Sequence, residues 1–282
     1  HQERFLALAK THLAAEKTIG SFDEEDGLGV SGAVSLLLER RPALASGIAA
    51  SLVLAVAAAI VAVRPSTLTD PEIVRTAIGQ QLEHRLEDGS ALVLNTHTDL
   101  AIDYTRRERR VVLTEGEALF EVVRDASRPF VVVAGEHEIR VLGTTFSVRF
   151  EGGEVEVLVE EGLVRLEPRG EEPILLSPKQ RARVGEGERS VVPVQEAELL
   201  RELSWRGGSL VFSETPLREV IDEVSRYTDM SITISDPALE ALTIDGYFRV
   251  GETEALLEAL SLGFGIDVVT VAPGRVELHR TV

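Results

Sequence analysis

The sequence predicts a multi-domain chain: a short α-helical N-terminal segment, a single transmembrane helix, an all-β domain of sandwich, roll or solenoid type, and a small α/β module. An uncharged apolar run from Pro42 to Val63 predicts the span. Beyond Arg64 the hydrophobic period changes from helical to alternating, which predicts strands. From Trp205 onward strand patterns and helical stripes interleave, which predicts the α/β module. The boundaries follow as a helical segment 1–41, a span 42–63, a linker 64–75, a β-domain 76–194, a linker 195–204 and a module 205–282.

The span suits a helix because every backbone donor and acceptor is then satisfied within the segment. Arg40 and Arg41 precede it, while Arg64 and Arg75 follow. The positive-inside bias therefore favours a cytoplasmic N-terminus by a small margin. The chain holds 29 Lys plus Arg against 47 Asp plus Glu, a net charge of −18. Residues 1–46 carry 5 basic and 7 acidic groups, and residues 64–282 carry 24 and 40. Excess acid in the large piece argues against nucleic-acid binding there. Cysteine is absent, which excludes disulfides, thiolate nucleophiles and cysteine metal sites.

Within 1–41, Phe5, Leu6, Ala9 and Leu13 give one amphipathic helix, and Val30, Val34, Leu37 and Leu38 a second stripe. Two short amphipathic helices cannot bury their faces alone. A membrane-surface helix would carry more Lys and Arg on its polar face, so a protein partner is favoured. Gly27–Gly32 matches G-x-G-x-x-G, but it follows an acidic loop and opens no βαβ unit, so no nucleotide site is read there. Asp23–Asp26 lacks the spacing of a calcium loop.

The β-domain strands are read at Leu92–Leu94, Leu100–Tyr104, Val111–Leu113, Leu119–Val123, Phe130–Val133 and Ile139–Val141. They continue at Phe146–Phe150, Val155–Val159, Leu163–Leu166 and Ile174–Leu176. Turn signals separate them, among them Asp88-Gly89, Glu115-Gly116, Gly152-Gly153 and Glu161-Gly162. Several stretches in order resemble the FecR domain: Leu86–Asn95 (LEDGSALVLN), Arg110–Val122 (RVVLTEGEALFEV), Arg128–Val132, Val141–Val148 (VLGTTFSV) and Val155–Val164. The resemblance implies a single-span inner-membrane regulator with its N-terminus in the cytoplasm and its FecR domain in the periplasm. It also implies that the cytoplasmic part binds an extracytoplasmic-function sigma factor, here through Phe5, Leu6 and Leu13. The segment lacks the Trp residues usual in that part of the family.

In the module, Trp205–Phe212 reads as a loop entering a strand, and a helix follows with Thr215 as cap, Pro216 in its first turn and Leu217, Val220, Ile221, Val224 and Tyr227 as its stripe. Strands follow at Ser231–Ile234 and Leu242–Phe248. Thr253 caps a second helix, which Gly263 or Gly265 ends. A hairpin around Pro273-Gly274 closes the order β-α-β-β-α-β-β. The module resembles the STN domain shared by secretins and TonB-dependent receptors, and Trp205 with the Phe212–Tyr227 segment resembles the C-terminal part of FecR proteins. The family implies contact with the signalling domain of a TonB-dependent outer-membrane receptor, assigned here to Trp205, Phe212 and Leu217. A lone Trp is more often a core anchor than a binding residue, which favours a core place for Trp205. Signal passage would use ordered proteolysis ending within the membrane, and iron uptake is the family's common theme.

A conventional enzyme is not expected. The histidines His1, His12, His84, His97, His137 and His279 show no ligand spacing, so no metal or other cofactor is expected. Asp88, Glu115, Glu117, Glu160 and Glu161 fall at expected turns, which turn chemistry explains. In some FecR proteins a Gly-Thr bond matching Gly143-Thr144 undergoes self-cleavage by an N→O acyl shift. The plainer reading is a glycine turn before a strand in which Thr is a good β-former. The function this favours is an anti-sigma regulator. The alternative is a membrane-anchored structural or adhesive envelope protein binding polymer or a secretion channel, which would need no amphipathic helices before its span.

Overall fold

One long strand, β5 (Arg109–Glu121), organises the β-domain. The structure is a computed structural model that describes residues 71–185 and 187–281. The expected helices of 1–41, with Phe5, Leu6 and Leu13, and the expected span 42–63 lie outside the described residues. Among the described residues no helix is long and apolar enough to cross a membrane.

Four strands precede β5: β1 (Glu72–Arg75), β2 (Leu82–Arg85), β3 (Ala91–Leu94) and β4 (Asp99–Tyr104). Eight follow: β6 (Phe130–Ala134), β7 (His137–Val141), β8 (Thr145–Glu151), β9 (Glu154–Glu161), β10 (Val164–Glu167), β11 (Ile174–Leu176), β12 (Gln180–Gly185) and β13 (Glu188–Pro193). All join one curled 13-stranded sheet. The first half of β5 pairs with β4 antiparallel and β6 parallel. Its second half pairs with β3 and β8, both antiparallel. The sheet therefore has two leaves that share β5: β1-β4-β5-β6-β7-β10-β11 and β2-β3-β5-β8-β9-β12-β13.

The leaves face each other because alternate residues point to one side of a strand. Val111, Phe130, Val132 and Ile139 come from the first leaf, and Phe120, Phe146, Val148 and Val157 from the second, into one buried core. Phe120 stacks on Phe146 at 5.1 Å between centroids and meets Phe130 edge-on at 6.0 Å. Each such side chain contributes about 1.5–3 kcal/mol by burial. Of the expected all-β domain, the structure shows one curled sheet whose two leaves enclose a core.

The remaining chain packs on the outer face of the second leaf. It comprises α1 (Glu196–Glu202), a 3-10 turn (Ser204–Gly207), β14 (Ser209–Pro216), α2 (Leu217–Ser225), β15 (Ser231–Ile234), β16 (Thr243–Arg249), α3 (Thr253–Phe264), β17 (Ile266–Ala272) and β18 (Arg275–Arg280). From β14 onward the order is the expected one, but the strands form two small sheets, β14-β16 and β15-β18-β17. In α2 the buried residues are Leu217, Val220, Ile221 and Val224, one face of a 3.6-residue period. Gly265 ends α3 at φ 66°, a backbone that suits glycine. A second core joins these helices to Leu119 and Leu158 on the outer face of the β-domain.

Several expectations need correction. The linker 64–75 ends in a strand, β1. Val111–Leu113 and Leu119–Glu121 belong to one strand and not two, because Gly116 bends β5 without ending it, and Val122 and Val123 lie past its end. The expected linker 195–204 is α1 plus the start of the 3-10 turn, with Leu199 and Leu203 buried. Thr215 lies within β14, where its hydroxyl donates to the Ser213 carbonyl, and Pro216 holds the N-cap position of α2. Thr253 is the first residue inside α3, and Glu252 precedes it as the cap.

Candidate functional site

The seam between the β-domain and the C-terminal module is built on the residue that follows the bend in β5. Ala118 and Phe120 point into the β core, so Glu117 points outward toward the module. Glu117 is nevertheless only 4% exposed. Its carboxylate accepts from Arg226 Nη2 at 2.9 Å, Arg149 Nη2 at 3.1 Å and Asn95 Nδ2 at 3.0 Å. Arg226 follows α2 directly and also pairs with Glu223 and Glu151, each at 2.9 Å. Arg149, on β8, reaches Glu223 at 3.3 Å. Three carboxylates and two guanidinium groups thus interleave across the seam.

Neutral groups complete the contact. Asn95 Nδ2 also donates to the Tyr227 hydroxyl at 2.8 Å. Thr96 Oγ1 donates to the Arg226 carbonyl at 3.0 Å. Gln81 Nε2 donates to the Trp205 carbonyl at 2.9 Å and to Asn95 Oδ1 at 3.0 Å.

Burial alone would push the Glu117 carboxyl up, yet Arg149, Arg226 and Asn95 hold it down at about 2. Burial works against the charge on Arg226 as well, but Glu117 and Glu223 outweigh it and raise its pKa. Burial first, then Glu223 and Glu117, push the Tyr227 hydroxyl well above its ordinary value, so it stays neutral. Glu117 and Arg226 therefore face each other as a charged pair at neutral pH, which a buried site allows only with close partners.

Trp205, Phe212 and Leu217, expected at a receptor contact, are 1%, 8% and 0% exposed. They pack in the second core, so they anchor the module. Gly143 and Thr144 lie between β7 and β8, with Thr144 buried. Val122 N–H donates to the Thr144 carbonyl at 3.0 Å, and Asp125 N–H to the Leu142 carbonyl at 2.9 Å. The Thr144 hydroxyl donates to the Leu163 carbonyl at 3.1 Å. A Cβ on Gly143 would lie 2.6 Å from Arg124 Cβ and 2.7 Å from its Cα, so only glycine fits. Among the described residues no His, Asp and Glu cluster could hold a metal ion.

Glu117 was expected at a turn. The structure buries it in mid-strand, and with it Arg149, Arg226, Tyr227 and Asn95 come together from residues up to 132 positions apart. One local signal for the site exists: an Arg-Tyr pair placed directly after the apolar stripe of α2.

The model of the family "FecR protein" matches residues 72–165, and that of "FecR, C-terminal" matches residues 209–275. Two crystal structures of a candidate anti-sigma factor from Parabacteroides distasonis ATCC 8503 are similar to this chain, at 27% and 26% identity with TM-scores of 0.61 and 0.62. Each match covers 75% of this chain and 100% of that one. No curated protein matches the sequence.

Proposed function

The chain belongs to the FecR family, and from that premise we propose that it is an anti-sigma regulator that holds an extracytoplasmic-function sigma factor through residues 1–41. The observation that carries this is the match, in order, of both family models together with the likeness, over 75% of this chain, to an anti-sigma candidate. In this reading 42–63 spans the inner membrane once, with 1–41 in the cytoplasm and the β-domain and module in the periplasm. The outer module, STN-like in its order of elements, receives the signalling domain of a TonB-dependent receptor. The signal then passes inward by stepwise proteolysis.

The test is a pull-down with the full chain from the native cytoplasm. Recovery of an extracytoplasmic-function sigma factor is expected, and its loss when Phe5, Leu6 and Leu13 are all changed to Asp. Three carboxylates on an apolar helix face remove the buried area that such a contact needs. If no sigma factor is recovered with the wild-type chain, the envelope-anchor reading takes its place.

The protein is proposed to have no enzymatic activity, and the Gly143-Thr144 bond to be a structural turn. Supporting this, the Thr144 hydroxyl is engaged with the Leu163 carbonyl, and Gly143 is required by its approach to Arg124. Wild type and Thr144→Ala are both expected to run as one full-length band on a denaturing gel. Two fragments from wild type and one band from Thr144→Ala would assign self-cleavage instead.

A further inference from the structure

Beside the seam runs a groove of about 810 Å³. One wall is the outer face of the second leaf, where alternate residues line it: Ser147 and Arg149 on β8, Arg181 and Arg183 on β12. The opposite wall is of another kind. It holds seven consecutive residues of β14, Leu210 to Pro216. A strand that lines a groove with consecutive residues presents its edge and not one face. Among the described residues β14 pairs with β16 alone, so no second strand takes its other edge along Leu210–Phe212, while Ser213 N–H and Glu214 N–H donate to Thr215 Oγ1 and Asp245 Oδ1. Natural sheets usually cover or guard such an edge.

The pairing of β14 with β16 shifts between Phe212 and Thr215, where Glu214 takes φ 50°. The regular stretch available to a new strand is therefore Ser209–Phe212. Past the irregularity, Glu214, Glu219 and Asp222 line the same groove, and none of the three has an ion pair among the described residues. Of the arginines lining the groove, four are engaged: Arg149 with Glu117 and Glu223, Arg181 with Glu198 and Glu202, Arg183 with Glu156, and Arg226 with Glu117, Glu151 and Glu223, which leaves Arg201 against three acids. In the same wall Trp205 keeps its Nε1–H buried without an acceptor.

We propose that this groove takes an extended, basic segment of another protein, added as a strand along Ser209–Phe212 with its Lys or Arg side chains on Glu214, Glu219 and Asp222. Main-chain hydrogen bonds would supply affinity, and the acidic rim would select the partner. The chain's own segments suit the rim poorly: its net charge is −18, and residues 1–46 hold more acid than base. That argues against both a second copy and the N-terminal segment as occupant. The proposal does not depend on the sigma-factor reading.

The chain has a single tryptophan, Trp205, and it lines the groove, so its emission reports occupancy. The full chain is titrated with a short peptide of alternating Val and Lys, with the matching Val and Glu peptide, and with a fully N-methylated Val and Lys peptide that has no backbone donor. A saturable change in Trp205 emission is expected with the first peptide only. The combined variant Glu214→Gln, Glu219→Gln, Asp222→Asn should weaken it about tenfold, since each exposed pair is worth up to roughly 1 kcal/mol. These three side chains are not in either core, so the variant keeps the fold. Equal binding of the N-methylated peptide, equal binding to the variant, or no response to the Val and Lys peptide overturns the proposal. A Trp205 change on dilution, matched by dimers in sedimentation, would give the groove to a second copy and overturn it as well.

Discussion

Glu117→Ala is expected to destabilise the protein by about 3–5 kcal/mol, because it leaves buried guanidinium groups without their carboxylate. Arg226 and Arg149 both point at Glu117, and only Glu223 and the more exposed Glu151 remain to neutralise them. Urea unfolding checks the size. Replacing Arg226 by Met in the Glu117→Gln background should recover part of the loss, since removing both partners of a buried pair is far milder than removing one. Acid supplies a second readout. The folded chain holds Glu117 at about 2, against an ordinary value of 4.5. The unfolded state therefore binds this proton more readily, and the stabilisation is fully present above pH 4.5 and lost as pH falls toward 2. Over that window wild type should lose stability more steeply than Glu117→Ala. Parallel acid limbs, or an unchanged urea midpoint, would show that the seam is held by Leu119, Leu158 and Trp205 alone.

How much of this could be seen in the sequence depends on how local each cause is. The central strands were legible because their valines alternate, as in Val155, Val157 and Val159, and one face of each is fully buried. The outer strands were not. Gln180–Gly185 reads QRARVG, and only two of its residues enter the core. The module's order of elements was legible from the stripe of α2 and the glycine after α3. Its division into two sheets was not, because strand partners are chosen by tertiary contact. The seam escaped for the same reason: Glu117 and Arg226 are 109 positions apart, and beside Gly116 a glutamate has the look of a turn residue. Trp205, Phe212 and Leu217 were expected at a receptor contact and the structure buries them, since apolar character alone does not separate an anchor from a contact.

The bend that places Glu117 yields the second large effect. Gly116→Ala is expected to destabilise by about 4 kcal/mol, the sum of a left-handed backbone and a clash that cannot relax cheaply. Gly116 has φ 92°, and a Cβ there would lie 2.5 Å from the His97 carbonyl oxygen, 2.5 Å from Thr98 Oγ1 and 2.6 Å from Thr98 Cα. Two of those atoms belong to the backbone, and the third is tied down. Thr98 Oγ1 accepts from Glu117 N–H and lies within donating reach of the Thr96 and Glu117 carbonyls, which share its single proton. Moving Thr98 away would break the bonds that pin β5 where it crosses from one leaf to the other. Gly153→Ala is the control, with φ 85° but open space where its Cβ would sit. It should show backbone strain alone, about 1–3 kcal/mol. Because Gly116 and Glu117 share Thr98, the Gly116→Ala and Glu117→Ala effects should fall short of additive when combined. Equal losses for the two glycine variants would mean that strain, and not the approach to Thr98, reserves position 116 for glycine. Full additivity with Glu117→Ala would mean that the bend and the seam are independent.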